Sequence, residues 1–451
     1  MLRNLVHESR LTAALALPLA AGQISQMLIS LADTLMVGRL GVLPLAAATF
    51  ANNVLYLPFI FGLGFSISVS IRVSQARGAG DQLAARAALR HGFYLSLAAG
   101  GLTMLGVWVV QPFLGLFRQE PEIIRAVPRY FVLVAASMIP ALGAMAVKNH
   151  ADALNKPWPP FWIMLGAAGL NVVFNWIFIY GRLGAPQMGL DGAGLATLLA
   201  RIAMLAAMIG WCTKSPAVRD WVPTHWFRAP EWHAVRELVR LGWPTSIQLL
   251  AEVSAFVMAT LLIGTLGPDA LASHQVAMTC AAMVFMVPLG LSQALTVRIG
   301  EAWGAAQYER LRLVLLSGWV LALAFTVCSA QAFVYFNHTI AGWFLTDSGA
   351  ATLAAQLLLV SAAFQVSDAM QVSSAGGLRG LGDVKIPGWI AFIAYWIVSI
   401  PAGWFFAFPL GQGVTGMWWG ITLGLTISAV TLGSRIWRKT QYQPLRDTIL
   451  P

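Results

Sequence analysis

The chain has 451 residues, of which 58% are hydrophobic and 10% charged, and its mean hydropathy is +0.72. An ordinary soluble domain carries about 25% charged residues, and a water-soluble protein of this size could not cover its surface with so few. A soluble enzyme, a nucleic-acid binder and a disordered scaffold are all excluded, and the net charge of +10 needs a cause other than a nucleic-acid partner.

A bilayer core takes about 20 apolar residues per helix. The chain holds twelve such runs, with cores at 11–37, 46–71, 87–110, 126–147, 158–180, 192–212, 237–265, 270–297, 313–336, 351–376, 387–408 and 414–436. The longest polar interval, about 213–236, is too short for a separate soluble domain. Arg3 and Arg10 precede Leu15-Ala-Leu-Pro-Leu-Ala-Ala-Gly22, a signal-peptide-like pattern, but the run continues to Val37, beyond the length of a signal h-region. The fold class expected is therefore all-α and polytopic. Cys212, Cys280 and Cys328 lack CxxC or Cys/His spacing and lie in or at the ends of apolar runs. Each is expected to be a small buried hydrophobe.

With the N-terminus inside, 22 of the 28 Lys and Arg residues fall on the inner side. Five fall outside (Arg39, Arg118, Arg125, Arg129 and Arg182), and Arg201 lies within a helix. Such a bias is the positive-inside rule. It predicts both termini in the cytoplasm and assigns the basic balance to topology and anionic lipid.

Sliding the chain on itself by 226 residues aligns Pro18–Gly80 with the second half without gaps, at 17 identities in 63 positions. The pairs include Pro18/Pro244, Thr34/Thr260, Gly41/Gly267, Gly64/Gly290, Ser66/Ser292 and Arg72/Arg298. This predicts two six-helix lobes, residues 1–225 and 226–451. Six is even, so both lobes enter the membrane from the same side, as parallel repeats about a pseudo-twofold axis along the membrane normal. Two such lobes enclosing a cavity suit alternating access.

Ionisable groups deep in apolar runs are few, and an intramembrane charge is costly enough that function is its default reading. Along the chain they are Asp33 in helix 1, Glu252 in helix 7 and Asp368 in helix 10. The repeat aligns Glu252 with Gln26 and Asp33 with Ala259, so the acids are placed asymmetrically. Asn171 and Asn175, four apart on helix 5, share one face, and Thr197 lies on helix 6. With Asp33 they supply the oxygens that a hard cation such as Na⁺ prefers; the carboxylate could bind a proton instead, and ordinary interhelical bonding is the plainer alternative.

Other polar residues draw plainer readings. Arg72 and Arg298 read as snorkelling helix ends, and Asp191 suits the start of helix 6. His274 reads as a hydrogen-bonded core residue, with a proton relay as the sharper alternative. Arg201 has no evident partner. Met278, Met283 and Met286 are weak candidates for a drug-lining surface. HExxH, a GxSxG triad context, Walker A and a paired Asp cluster are absent from the sequence. A non-enzyme without cofactor is expected, with energy drawn from an ion gradient.

Several segments resemble the multidrug and toxic compound extrusion (MATE) family, NorM type. They are Leu31-Ala-Asp-Thr-Leu-Met-Val-Gly38, Ile71-Arg-Val-Ser-Gln-Ala-Arg-Gly78, Gly169-Leu-Asn-Val-Val-Phe-Asn175, Ala251-Glu-Val-Ser254 and Gly376-Gly-Leu-Arg-Gly-Leu-Gly-Asp383. The resemblance implies a twelve-helix antiporter of the bacterial inner membrane, acting as a monomer, that exchanges H⁺ or Na⁺ for organic and often cationic drugs. It implies cation coupling at Asp33, Glu252 and Asp368, with Asn171, Asn175 and Thr197 in support. One departure is Phe364, four residues before the helix-10 acid, where the Na⁺-coupled pattern has Tyr. It removes an oxygen ligand and gives weight to H⁺. Two other readings stay open: a flippase for lipid-linked saccharides, which needs a more cationic cavity, and a membrane-embedded transferase.

Overall fold

The structure, a computed structural model, describes residues 2–117 and 120–441. Arg118 and Arg446, counted in the charge asymmetry, lie outside them. Among the described residues, twelve helices are long and apolar enough to cross a membrane: α1 (Leu2–Gly38), α2 (Val42–Ala79), α3 (Gln82–Val110), α4 (Pro121–Ala153), α5 (Trp158–Tyr180), α6 (Gly189–Lys214), α7 (Trp232–Gly264), α8 (Pro268–Gly304), α9 (Tyr308–Phe344), α10 (Ser348–Gly380), α11 (Lys385–Ala407) and α12 (Gly413–Lys439). Each predicted apolar core falls on one of them, those at 237–265 and 387–408 running one residue past the helix end. Most helices run past their cores because their polar ends still satisfy the backbone by i→i−4 hydrogen bonds. Asp81 starts α3 by accepting from Ala84 N at 2.9 Å, and Asp347 starts α10 by accepting from Ala350 N at 2.9 Å. The repeat pair Gly41 and Gly267 precede α2 and α8 with φ of 117° and 113°, a region closed to most side chains.

The chain forms two compact units, one of Ala21–Ile247 and one of Met1–Ala20 with Gln248–Pro451. These bounds differ from those of the sequence halves. The start of α1 belongs with the helices of the second half, and the start of α7 with those of the first. Pro18 and Pro244 stand inside α1 and α7 a few residues before each change of unit.

The repeat pair Gly64 and Gly290 make this arrangement sterically possible. In the Ala21–Ile247 unit, a Cβ on Gly64 would lie 2.2 Å from Ser246 Oγ and 2.5 Å from Ser246 N of α7. In the other unit, a Cβ on Gly290 would lie 2.5 Å from Ala20 N of α1. Both contacts reach backbone, which no rotamer change relieves. Gly290→Ala should therefore cost about 1–3 kcal/mol of stability. Gly101→Ala, with nothing within 4 Å of the added carbon, should not. Thermal midpoints of the two purified variants check the difference.

Arg298 does not snorkel. It is 6% exposed and pairs with Glu8 of α1, whose other carboxylate oxygen takes Arg310 Nε at 2.9 Å. Arg72, its repeat mate, pairs with Glu237 of α7 at 2.9 Å in a half-exposed setting. The α6–α7 linker docks on α3: Arg86 donates to the Asp220 carbonyl at 2.7 Å, and Glu231 N donates to His91 Nε2 at 3.0 Å. Cys212 and Cys280 are buried as expected, but Cys328 is exposed, on an outward face of α9. Asp191 lies in the first turn of α6, where its charge faces the helix N-terminus.

Candidate functional site

In the Ala21–Ile247 unit the structure joins Asp33, Asn175, Asn171 and Thr197 into one hydrogen-bonded chain. The Asn175 amide donates to Asp33 Oδ1 and, at 3.2 Å, to Asn171 Oδ1. Asn171 Nδ2 reaches Thr197 Oγ1 at 3.4 Å, and Thr197 donates to the Ala193 carbonyl at 3.0 Å. Three helices, α1, α5 and α6, meet here because Asn171 and Asn175 lie one turn apart on the same face of α5. Asn175 is fully buried, and its Oδ1 has no protein partner. The cluster thus presents a carboxylate, amide oxygens and a hydroxyl, an all-oxygen donor set that fits a proton or a hard cation.

Two neighbours of this cluster were not linked to it by the sequence, although Arg201 stood out there as a charge without a partner. Tyr130 of α4, 3% exposed, places its hydroxyl 3.4 Å from Asn52 Oδ1 and within electrostatic reach of Asp33. Arg201 donates to Ser137 Oγ at 2.7 Å, and its charge reaches both Asp33 and Tyr130. No sequence spacing could link Arg201 to Asp33, because the two lie on helices brought together only by packing.

In the other unit, Glu252 of α7 and Asp368 of α10 interact through the low-dielectric interior, and the buried Arg379 also faces Glu252. Phe364 is 4% exposed and packs edge-on against Phe256 and Trp418, at ring separations of 6.2 Å and 5.5 Å. It is core and offers no oxygen. The structure brings a hydroxyl from elsewhere: Tyr395, 1% exposed, faces Glu252 and lies within electrostatic reach of Asp368. Tyr395 sits in a π-helical turn, Ile393–Ser399, inside α11. Such turns rotate the following residues relative to an α-helical register and often mark functional sites. In sequence Tyr395 was one more aromatic in an apolar run. Along α10, Ser361, Gln365, Asp368 and Gln371 form a buried polar stripe at helical spacing.

His274 is a hydrogen-bonded core residue. Its Nδ1 accepts from Trp418 Nε1 at 3.1 Å, so Nε2 carries the proton and donates to Thr260 Oγ1 at 2.9 Å. Both nitrogens are engaged within the fold. Met283 is exposed, whereas Met278 packs against the core around Trp418.

Among the described residues, twelve helices long and apolar enough to cross a membrane, in two compact units that each hold carboxylates among oxygen-bearing side chains, mark an integral membrane protein. A family model, MatE, matches residues 18–177 and 244–405, two stretches whose starts differ by the repeat offset of 226. The chain is 36% identical to "Probable multidrug resistance protein NorM" of Rhizobium meliloti (strain 1021), over 95% of this chain and 93% of that protein. It is also 36% identical to the Bradyrhizobium diazoefficiens protein of the same name, over 93% and 91%. Among solved structures, the eukaryotic MATE transporter AtDTX14 superposes with a TM-score of 0.87 at 18% identity, over 97% of this chain and 98% of that one. A mutant of the Vibrio cholerae MATE transporter VcmN does so with a TM-score of 0.87 at 20% identity, again over 97% and 98%. The chain belongs to the MATE family, among the relatives named NorM.

Proposed function

We propose that the chain is a cation-coupled multidrug antiporter that exports organic, often cationic, compounds by alternating access, driven by H⁺ or Na⁺. The observation that carries this reading is the set of carboxylates inside membrane-crossing helices, each with oxygen-bearing neighbours: Asp33 with Asn175, Asn171 and Thr197, and Glu252 with Asp368 and Tyr395. An uncompensated buried carboxylate is costly. Neutralising it with a proton or Na⁺ removes that cost and, in the same step, a charge that attracts a cationic drug. Ion uptake from outside then lowers drug affinity and favours return to the inward state. Directionality requires that ion affinity differ between the two states.

The names of the relatives support the multidrug substrate class and a non-enzymatic role. The charge asymmetry supports a bacterial inner-membrane protein with both termini in the cytoplasm, and the two lobes within one chain support a functional monomer. The test is uptake of a cationic dye such as ethidium into proteoliposomes under an imposed pH gradient or Na⁺ gradient, one at a time. Transport against the dye gradient is expected with at least one of them, and none with both collapsed. Equal movement with no ion gradient would overturn the coupling.

A further inference from the structure

Arg201 has no part in the antiport scheme above, yet it lies midway along α6, one turn beyond Thr197 and on the same face. A guanidinium at membrane depth is stable only when paired or held by polar groups. Its guanidinium donates to Ser137 Oγ, a neutral hydroxyl that is fully buried. The titratable groups whose fields reach it are Asp33 and Tyr130. Tyr130 is neutral in its ordinary state, so Asp33 is the countercharge. Joined to that same carboxylate by the hydrogen-bonded chain are the oxygens a metal cation would use: Asn171 Oδ1, Thr197 Oγ1, and Asn175 Oδ1, the last buried and without a protein partner.

We infer that Arg201 is the ion-selectivity residue of the Asp33 site: a tethered cation that takes the place of a counter-ion and sets an otherwise suitable oxygen cluster against Na⁺. A Na⁺ bound among these oxygens would remain a full charge beside a fixed guanidinium in a low-dielectric interior, where repulsion over several ångströms weakens binding by tenfold or more. The inference rests on Asp33 being an ion-coupling residue. Arg201 acts through Asp33 and needs no contact with the transported compound.

The test reads binding, so that it separates from any failure of antiport. Full-length protein carrying Glu252→Gln and Asp368→Asn silences the other unit's acids, and its thermal midpoint is followed in NaCl against choline chloride at equal ionic strength. The parent is expected to show no Na⁺-specific rise. Adding Arg201→Met should produce a rise that half-saturates at least about tenfold below the highest NaCl concentration at which the parent shows none, and adding Asp33→Asn should abolish it. Arg201→Lys, which keeps the charge, should behave as the parent. Arg201→Gln, which can still donate to Ser137, serves the same purpose as Arg201→Met if that variant is unstable. The inference is overturned if neither neutral variant gains Asp33-dependent Na⁺ stabilisation, if Arg201→Lys gains it equally, or if the parent already has it. Absence of ion-driven uptake by the wild type would overturn antiport alone and leave this measurement readable.

Discussion

Asp368→Asn is expected to reduce drug resistance to that of cells lacking the transporter, while the protein still reaches the membrane. Asn keeps the size and shape of the side chain, so the packing of α10 at this 6%-exposed position is retained. What it loses is the ability to change charge. If ion uptake is coupled to drug release by neutralising this carboxylate, a side chain that is permanently neutral holds the unit in its ion-loaded electrostatic state and breaks the cycle. Glu252 cannot compensate, because its charge already acts on the Asp368 position and the scheme needs that position to change charge. Tyr395→Phe removes only a hydroxyl beside the pair and should lower resistance without abolishing it. Drug-susceptibility measurements alongside membrane immunoblots check both. Wild-type resistance in Asp368→Asn would remove that residue from the mechanism.

Glu8→Ala is expected to be far more destabilising than Glu237→Ala, the matching change at the half-exposed ion pair of the repeat mate Arg72. The Glu8 side chain is 10% exposed and the Arg298 side chain 6%. Arg298 also donates to the Glu8 carbonyl at 2.7 Å and to Thr12 Oγ1, while Thr12 and Ser317 share a hydrogen bond of 2.8 Å. Removing the carboxylate leaves a desolvated guanidinium without its countercharge, which costs about 3–5 kcal/mol in buried pairs. The related pair Arg72–Glu237 has side chains 35% and 36% exposed, so Glu237→Ala should cost only about 0–1 kcal/mol. The double variant Glu8→Ala/Arg298→Met should recover much of the loss, because the stranded charge is gone. Thermal midpoints of the purified variants test the order. Equal losses for Glu8→Ala and Glu237→Ala would show that burial does not govern these pairs.

The candidate site was legible in sequence wherever its parts obey helical spacing. Asn171 and Asn175 are one turn apart, and a scarce acid in an apolar run marked Asp33, Glu252 and Asp368. Tyr395 was not legible, because a π-helical turn places it beside the acids and no residue spacing announces that turn. Phe364 was read correctly as lacking an oxygen, but the hydroxyl that faces Glu252 comes from a helix some 30 residues further on. Arg298 was misread as an exposed helix end, because its partner Glu8 lies 290 residues away.

By itself, the sequence determined the number of membrane crossings, the twofold repeat and the short inventory of intramembrane acids. Each depends on quantities counted along the chain: the apolar length that spans a bilayer, self-similarity at a constant offset, and the cost of a charge in hydrocarbon. The tertiary structure alone decided that the starts of α1 and α7 pack with the opposite halves, that Gly64 and Gly290 admit them, and that Arg201 comes within electrostatic reach of Asp33. Those outcomes depend on which helix lies against which, and helix packing is set by side-chain fit between segments hundreds of residues apart.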